Sequence, residues 1–173
     1  ASNELKNYGF DNGENSDRET VYFLQMLMRD VQAVRYGMTL DVWNGKDVEL
    51  EGGSQGGFQS LTVGALMNEY VTSINSIGPA FCDWAGMTAG RLPSTFPFPD
   101  YNDPLAYYDS INFAHMVKCP VTMLAGLGDT ICRPSGIYGL YDAIPTPKNI
   151  IWVQNMPHGP YYDYCLMYTY SDN

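Results

Sequence analysis

A chain of 173 residues, 45% hydrophobic and 16% charged, has the make-up of one globular domain with a real core, neither disordered nor fibrous. Nine Lys and Arg against nineteen Asp and Glu leave a net charge of −10 without any basic cluster, so nucleic acid is excluded as a partner and polyanionic substrates are disfavoured. No stretch approaches the ~20 apolar residues of a membrane span, which excludes a spanning helix.

In chain order, Ser16-Asp17-Arg18-Glu19 has capping-box spacing. The apolar residues that follow, Val21, Leu24, Leu27, Val31 and Val34, predict an amphipathic helix through Tyr36 that stops at Gly37. Asn44-Gly45 signals a turn into a short strand at Asp47–Leu50. A glycine-rich stretch, Gly52-Gly53-Ser54-Gln55-Gly56-Gly57, comes next, then a helix over Phe58–Met67 and an alternating strand within Tyr70–Ile77. Residues 81–108 are rich in Pro, Gly and aromatics without a clean period, and read as an irregular, cap-like excursion. A short helix over Ser110–Val117, a strand over Val121–Leu127, a helix over Ser135–Ala143, a strand over Asn149–Val153 and a terminal helix over Tyr161–Tyr170 complete the series. Helices alternating with apolar strands predict an α/β fold with a mostly parallel sheet and flanking helices.

Cys82, Cys119, Cys132 and Cys165 form no CxxC pair, so no zinc ribbon or thioredoxin-type motif is expected. Buried free thiols are the plain reading, with one disulfide open if the protein is exported. His115, Cys119, Cys132 and His158 show no metal-ligand spacing, and neither a metal nor another cofactor is expected.

Gly52-Gly53-Ser54-Gln55-Gly56 fits G-x-S-x-G between a predicted strand and a predicted helix, which is the context of a nucleophile elbow. Such a turn projects the serine hydroxyl above the sheet, and glycines two positions to either side would remove collisions. The backbone N–H of Gln55, at the helix start, is placed to stabilise an oxyanion. A nucleophile of this kind needs a base and an acid, in the chain order Ser, acid, His. Asp129 follows the strand at 121–127 and His158 follows the strand at 149–153. Both stand where parallel sheets place their sites, just beyond the carboxyl ends of strands. His158 would take the Ser54 proton, and Asp129 would orient the imidazole. The rival His115 lies inside a predicted helix, where a surface or packing role fits it. Asp103, Asp109 and Asp163 read as turn, cap and surface residues.

GGSQGG around Ser54, the run CPVTMLAGLGDTICRPSGIYGLYDAI over 119–144, and His158-Gly159 resemble the acetyl xylan esterase/cephalosporin-C deacetylase family of α/β-hydrolases. The resemblance covers nearly the whole chain, and begins only in the second half of the family's sequence. It implies Ser54 as nucleophile, Asp129 as acid, His158 as base, Gln55 as amide donor, and deacetylation of O-acetylated xylo-oligosaccharides or small acetyl esters without metal. The sequence departs from the family pattern beside these positions at Glu51, at Arg133-Pro134-Ser135-Gly136 and at Pro157. Residues 1–173 are then expected to form the C-terminal portion of a single domain, completed by an N-terminal half that carries a second oxyanion donor.

The aromatic residues of the excursion, Trp84, Phe96, Phe98, Tyr107 and Tyr108, are candidates for a sugar-facing wall, with core packing as the alternative for each. Other readings stay open: a prolyl-oligopeptidase-like peptidase, a general carboxylesterase, or a structural half inactive by itself. Homo-oligomer formation is open as well, as is the compartment, cytoplasmic or exported.

Overall fold

The computed structural model describes residues 13–91, 94–96, 98–159 and 167–172. A single 3₁₀ turn, Glu14–Ser16, leads into α1 (Tyr22–Gly37), β1 (Glu49–Gly53), α2 (Gln55–Leu66) and β2 (Ser73–Ile77). Within the aromatic stretch lie the short helices α3 (Trp84–Thr88) and α4 (Asp103–Ala106), with α5 (Ile111–Ala114) just after it. β3 (Val121–Gly126), α6 (Pro134–Ala143), β4 (Lys148–Val153) and β5 (Met167–Asp172) follow.

The five strands form one sheet in the order β1-β2-β3-β4-β5. β1 to β4 are parallel, and β5 adds antiparallel to β4, with Ile150 opposite Tyr170 and Trp152 opposite Tyr168. The expected α/β architecture is therefore present, with the strand positions read from sequence shifted by a few residues.

The terminal helix is a correction. Residues 167–170 are strand, because Met167-Tyr168-Thr169-Tyr170 completes hydrogen bonds that the edge of β4 would otherwise leave open. The remainder of that expected helix, 161–166, lies outside the described residues.

The capping box is a second correction. Helix α1 starts at Tyr22, past the expected box, and its N-cap Val21 offers no side-chain bond. Asp17 instead accepts the Glu19 N–H at 2.9 Å, and the Ser16 hydroxyl donates to the Gly13 carbonyl, so these residues close turns ahead of the helix.

The core is built around α2, most of which is buried from Gly57 to Ala65. Phe58 meets Phe23 of α1 edge-on at 5.7 Å and Phe81 at 5.2 Å, and Phe81 stacks on Trp84 at 5.0 Å. Cys82, Cys119 and Cys132 are free and buried; Cys165 lies outside the described residues. No helix among the described residues is long and apolar enough to cross a membrane.

The ends of the parallel strands are knitted to one another past their last ladder pairs. The Ser54 N–H donates to Ile77 O at 2.8 Å, Gly78 to Leu124 O at 2.7 Å, Leu127 to Val153 O at 3.0 Å and Gly128 to Met156 O at 3.1 Å. Four loops that are distant in sequence are thereby held side by side at the carboxyl end of the sheet.

Candidate active site

Ser54 occupies the turn from β1 into α2 with φ 57° and ψ −116°. This left-handed conformation is costly for a residue with a Cβ, on the order of 1–3 kcal/mol, and persists only where the surroundings enforce it. Here the enforcement comes from both sides of the residue. Its N–H is bound to Ile77, while its carbonyl accepts from Phe58 N–H at 3.1 Å and Ala80 N–H at 2.9 Å.

Gly52 is required for this turn: a Cβ there would run into the Gly56 carbonyl and stand 2.8 Å from Ser60 Oγ. A Cβ at Gly56 would meet nothing within 4 Å, so the expectation that both glycines relieve collisions holds for Gly52 alone. Gly56 contributes the backbone against which Gly52 packs. Gly52→Ala is expected to cost about 1–3 kcal/mol by overpacking, read as a lower denaturant midpoint, whereas Gly56→Ala should leave the midpoint close to that of the parent.

His158 Nε2 lies 2.8 Å from Ser54 Oγ, and His158 Nδ1 lies 2.8 Å from Asp129 Oδ2. All three candidates from the sequence are thus brought into one hydrogen-bonded line. Asp129 is 2% exposed, and its other oxygen, Oδ1, accepts the N–H groups of Ile131 at 2.8 Å and Cys132 at 2.9 Å. These two amides pin the carboxylate and leave Oδ2 to the imidazole. The meeting of Asp129 and His158 has a backbone cause. The turn Gly126–Gly128 lies against Asn155 and Met156, and a Cβ at Gly128 would stand 3.1 Å from Asn155 O. Bulk in that turn would push the two loops apart.

Helix α2 begins immediately after Ser54, so the Gln55 amide is at the helix N-terminus, where N–H groups have no partner within the helix. The Gln55 side chain turns away and donates to Met26 Sδ of α1 at 2.7 Å. Ser54, Gln55 and His158 open on a cleft of about 160 Å³ whose other walls are Ala80, Phe81, Phe96, Phe98 and Ile131. Apart from Ser54, Gln55 and His158, the described residues of this wall are apolar.

The aromatic candidates divide. Phe96 and Phe98 line the cleft, but Trp84, Tyr107 and Tyr108 do not. Trp84 is 1% exposed, packed on Phe81, with its indole N–H given to Pro99 O. The Tyr108 hydroxyl donates to Arg18 O at 2.6 Å, and the Tyr107 ring carries the Arg18 guanidinium at 5.4 Å. Tyr107 and Tyr108 tie the aromatic excursion to Arg18 and Trp84 packs within the core, so none of the three lines the cleft that Ser54 opens on. His115 is exposed at the end of α5, and Asp109 is a structural acceptor for the N–H groups of Trp84, Asp83 and Ile111. Burial raises the Asp109 carboxyl above its ordinary value.

Cys132, expected from the sequence only as a buried free thiol, lies beside Asp129. It is buried in the turn whose amides hold Asp129, its own N–H donating to Asp129 Oδ1 at 2.9 Å. Burial, then the Asp129 carboxylate, push the Cys132 thiol up to about 12, so it is protonated near neutrality. The available signal was the spacing from Asp129 to Cys132, the span of the tight turn that caps the carboxylate.

Residues 101–170, which include Asp129 and His158, match the acetyl xylan esterase (AXE1) family. Over 141 residues the chain is 36% identical to acetyl esterase Axe7A of Xylanibacter ruminicola, a match that takes in 76% of this chain and 32% of that protein. Among solved structures, the acetyl xylan esterase from Paenibacillus sp. R4 superposes with a TM-score of 0.78 at 20% identity, covering 88% of this chain and 52% of that one. Acetyl xylan esterase 1 from Thermoanaerobacterium sp. JW/SL YS485 gives 0.76 at 24% identity, with 94% and 55% covered. The fold is that of an α/β-hydrolase, of which this chain forms part. It spans about a third of the curated relative and just over half of the two solved structures.

Proposed function

The chain belongs to the acetyl xylan esterase family, and from that membership we propose that it carries the catalytic centre of a serine esterase that removes acetyl groups from O-acetylated carbohydrates. The observation that supports this reading best is the unbroken line from Ser54 Oγ through His158 to Asp129, each step 2.8 Å, at the floor of an apolar cleft. An acetyl group is small and weakly polar, and its methyl suits walls such as Ala80, Phe81 and Ile131.

Ser54 Oγ attacks the acetyl carbonyl as its proton passes to His158 Nε2. Asp129 stabilises the imidazolium so formed and holds the ring in the tautomer that accepts at Nε2. The oxyanion takes a hydrogen bond from the Gln55 N–H, aided by the positive end of α2. His158 then returns the proton to the departing sugar hydroxyl, leaving Ser54 acetylated. Water, deprotonated by the same imidazole, releases acetate and restores the serine. No cofactor is needed in this scheme.

A second oxyanion donor and the remainder of the substrate wall are proposed to come from a further portion of the same protein. The support is the partial span of the relatives together with β1, which ends the sheet with Glu49, Glu51 and Gly53 exposed.

A substrate panel tests the reading: acetylated xylo-oligosaccharides, p-nitrophenyl butyrate and a dipeptide amide. Acetate release from the oligosaccharides is expected to exceed turnover of the other two in kcat/KM by at least tenfold. Preferential cleavage of the amide would replace the proposal with a peptidase, and preference for the butyrate with a general carboxylesterase.

A further inference from the structure

The Cys132 thiol takes no part in the chemistry proposed above. Its sulfur, one ring nitrogen of His158 and one carboxylate oxygen of Asp129 nevertheless lie within 4.8 Å of one another. The same turn that delivers the Ile131 and Cys132 amides to Asp129 fixes where the sulfur sits. Thiolate, imidazole and carboxylate together are ligands that zinc and, more strongly at sulfur, cadmium accept. Metal–ligand bonds of ~2.0–2.3 Å at tetrahedral angles put ligand atoms about 3.3–3.8 Å apart, so closing this set requires movements on the order of 1 Å. An ion can approach along the Ser54 cleft, past the His158 ring, whose side chain is 23% exposed. The net charge of −10 favours cations near the molecule.

We propose that Asp129, Cys132 and His158 form a capture site for a thiophilic divalent cation, and that its occupancy silences Ser54. Binding exchanges the thiol proton, released to solvent, for a metal–sulfur bond. Either mode of imidazole ligation removes the base. A metal on Nε2 occupies the lone pair that Ser54 needs; a metal on Nδ1 leaves the ring's one proton on Nε2, facing the serine as a donor. The inference rests on the esterase reading only for its effect on Ser54, since binding by the three ligands is independent of it.

The test is a cadmium chloride titration of the full chain, following the ultraviolet cadmium–thiolate absorption, in parallel with fluorophosphonate labelling of Ser54. One equivalent is expected to bind in the parent and to be lost from both Cys132→Ser and His158→Asn, while Cys82→Ser and Cys119→Ser retain it. Labelling of the parent should fall at least tenfold with that equivalent and recover with EDTA. An unchanged stoichiometry in Cys132→Ser overturns the proposal. So does loss in Cys132→Ser with retention in His158→Asn, which would mean a lone-thiol adduct. If Cys132→Ser lacks a cooperative melt, the visible spectrum of the parent with cobalt(II) decides: intense tetrahedral bands support the site, and their absence overturns it. A parent that never labels sinks the esterase reading, and the cadmium stoichiometry still decides this one.

Discussion

Replacement of Ser54 by alanine is expected to lower acetate release by roughly 10⁵-fold while leaving a cooperatively folded protein. The activity loss follows from chemistry. Among the described residues no other hydroxyl is hydrogen-bonded to His158 Nε2, and the Cys132 thiol, pushed up to about 12, offers almost no thiolate at neutral pH. The fold should persist because the bonds that define the turn are made by the Ser54 backbone, to Ile77, Phe58 and Ala80, and alanine keeps them all. Residual activity within tenfold of the parent, measured as acetate released by a purified and fully folded variant, would remove Ser54 from the nucleophile role.

Asp129→Asn is expected to cost roughly 10⁴-fold in kcat, with a melting midpoint close to the parent's. The direction follows from the two oxygens having different partners. Oδ1 accepts two backbone N–H groups, from Ile131 and Cys132, so the amide oxygen of asparagine is held at that position. Its NH₂ group then faces His158 Nδ1 and donates to it. The imidazole must carry its proton on Nε2, where it points at Ser54 Oγ and cannot accept from it. Geometry survives and the tautomer is wrong. The check is kcat on a chromogenic acetyl ester alongside a thermal melt. A variant with near-parental kcat would mean that Asp129 serves structure alone.

Much of this arrangement could be read from sequence because its signals are local. A strand such as Val121–Gly126 announces itself by an apolar run between Pro120 and Gly128, and α6 and β4 likewise lie within a residue of their expected starts. Ser54, Asp129 and His158 each come just after such a strand, so the topology of a parallel sheet converges them without further information. What depends on distant partners was not legible. The segment Met167–Tyr170 has no neighbour in sequence that reveals the open edge of β4, and was expected to be helical. Trp84 and Phe98 look alike along the chain, yet one fills the core and the other the cleft. Ser16 and Glu19 had the spacing of a cap, but Asp17 outcompetes them for the local amide. The nearness of Cys132 to Ser54 emerges only when the loops after β1 and β3 are set side by side.

The strand order has a bearing on how the protein is made. Among the described strands, each parallel strand lies next to the one that precedes it in sequence, so this part of the sheet can grow by successive addition as the polypeptide emerges. Ser54 follows β1, Asp129 follows β3, and His158 arrives only with the loop after β4. Under the proposed mechanism, chains assembled only as far as the third strand would hold Ser54 without His158 beside it and would not react. Recovery of Ser54 reactivity during refolding would report docking of the fourth strand, a late event, and should lag behind the burial of Phe58 and Trp84.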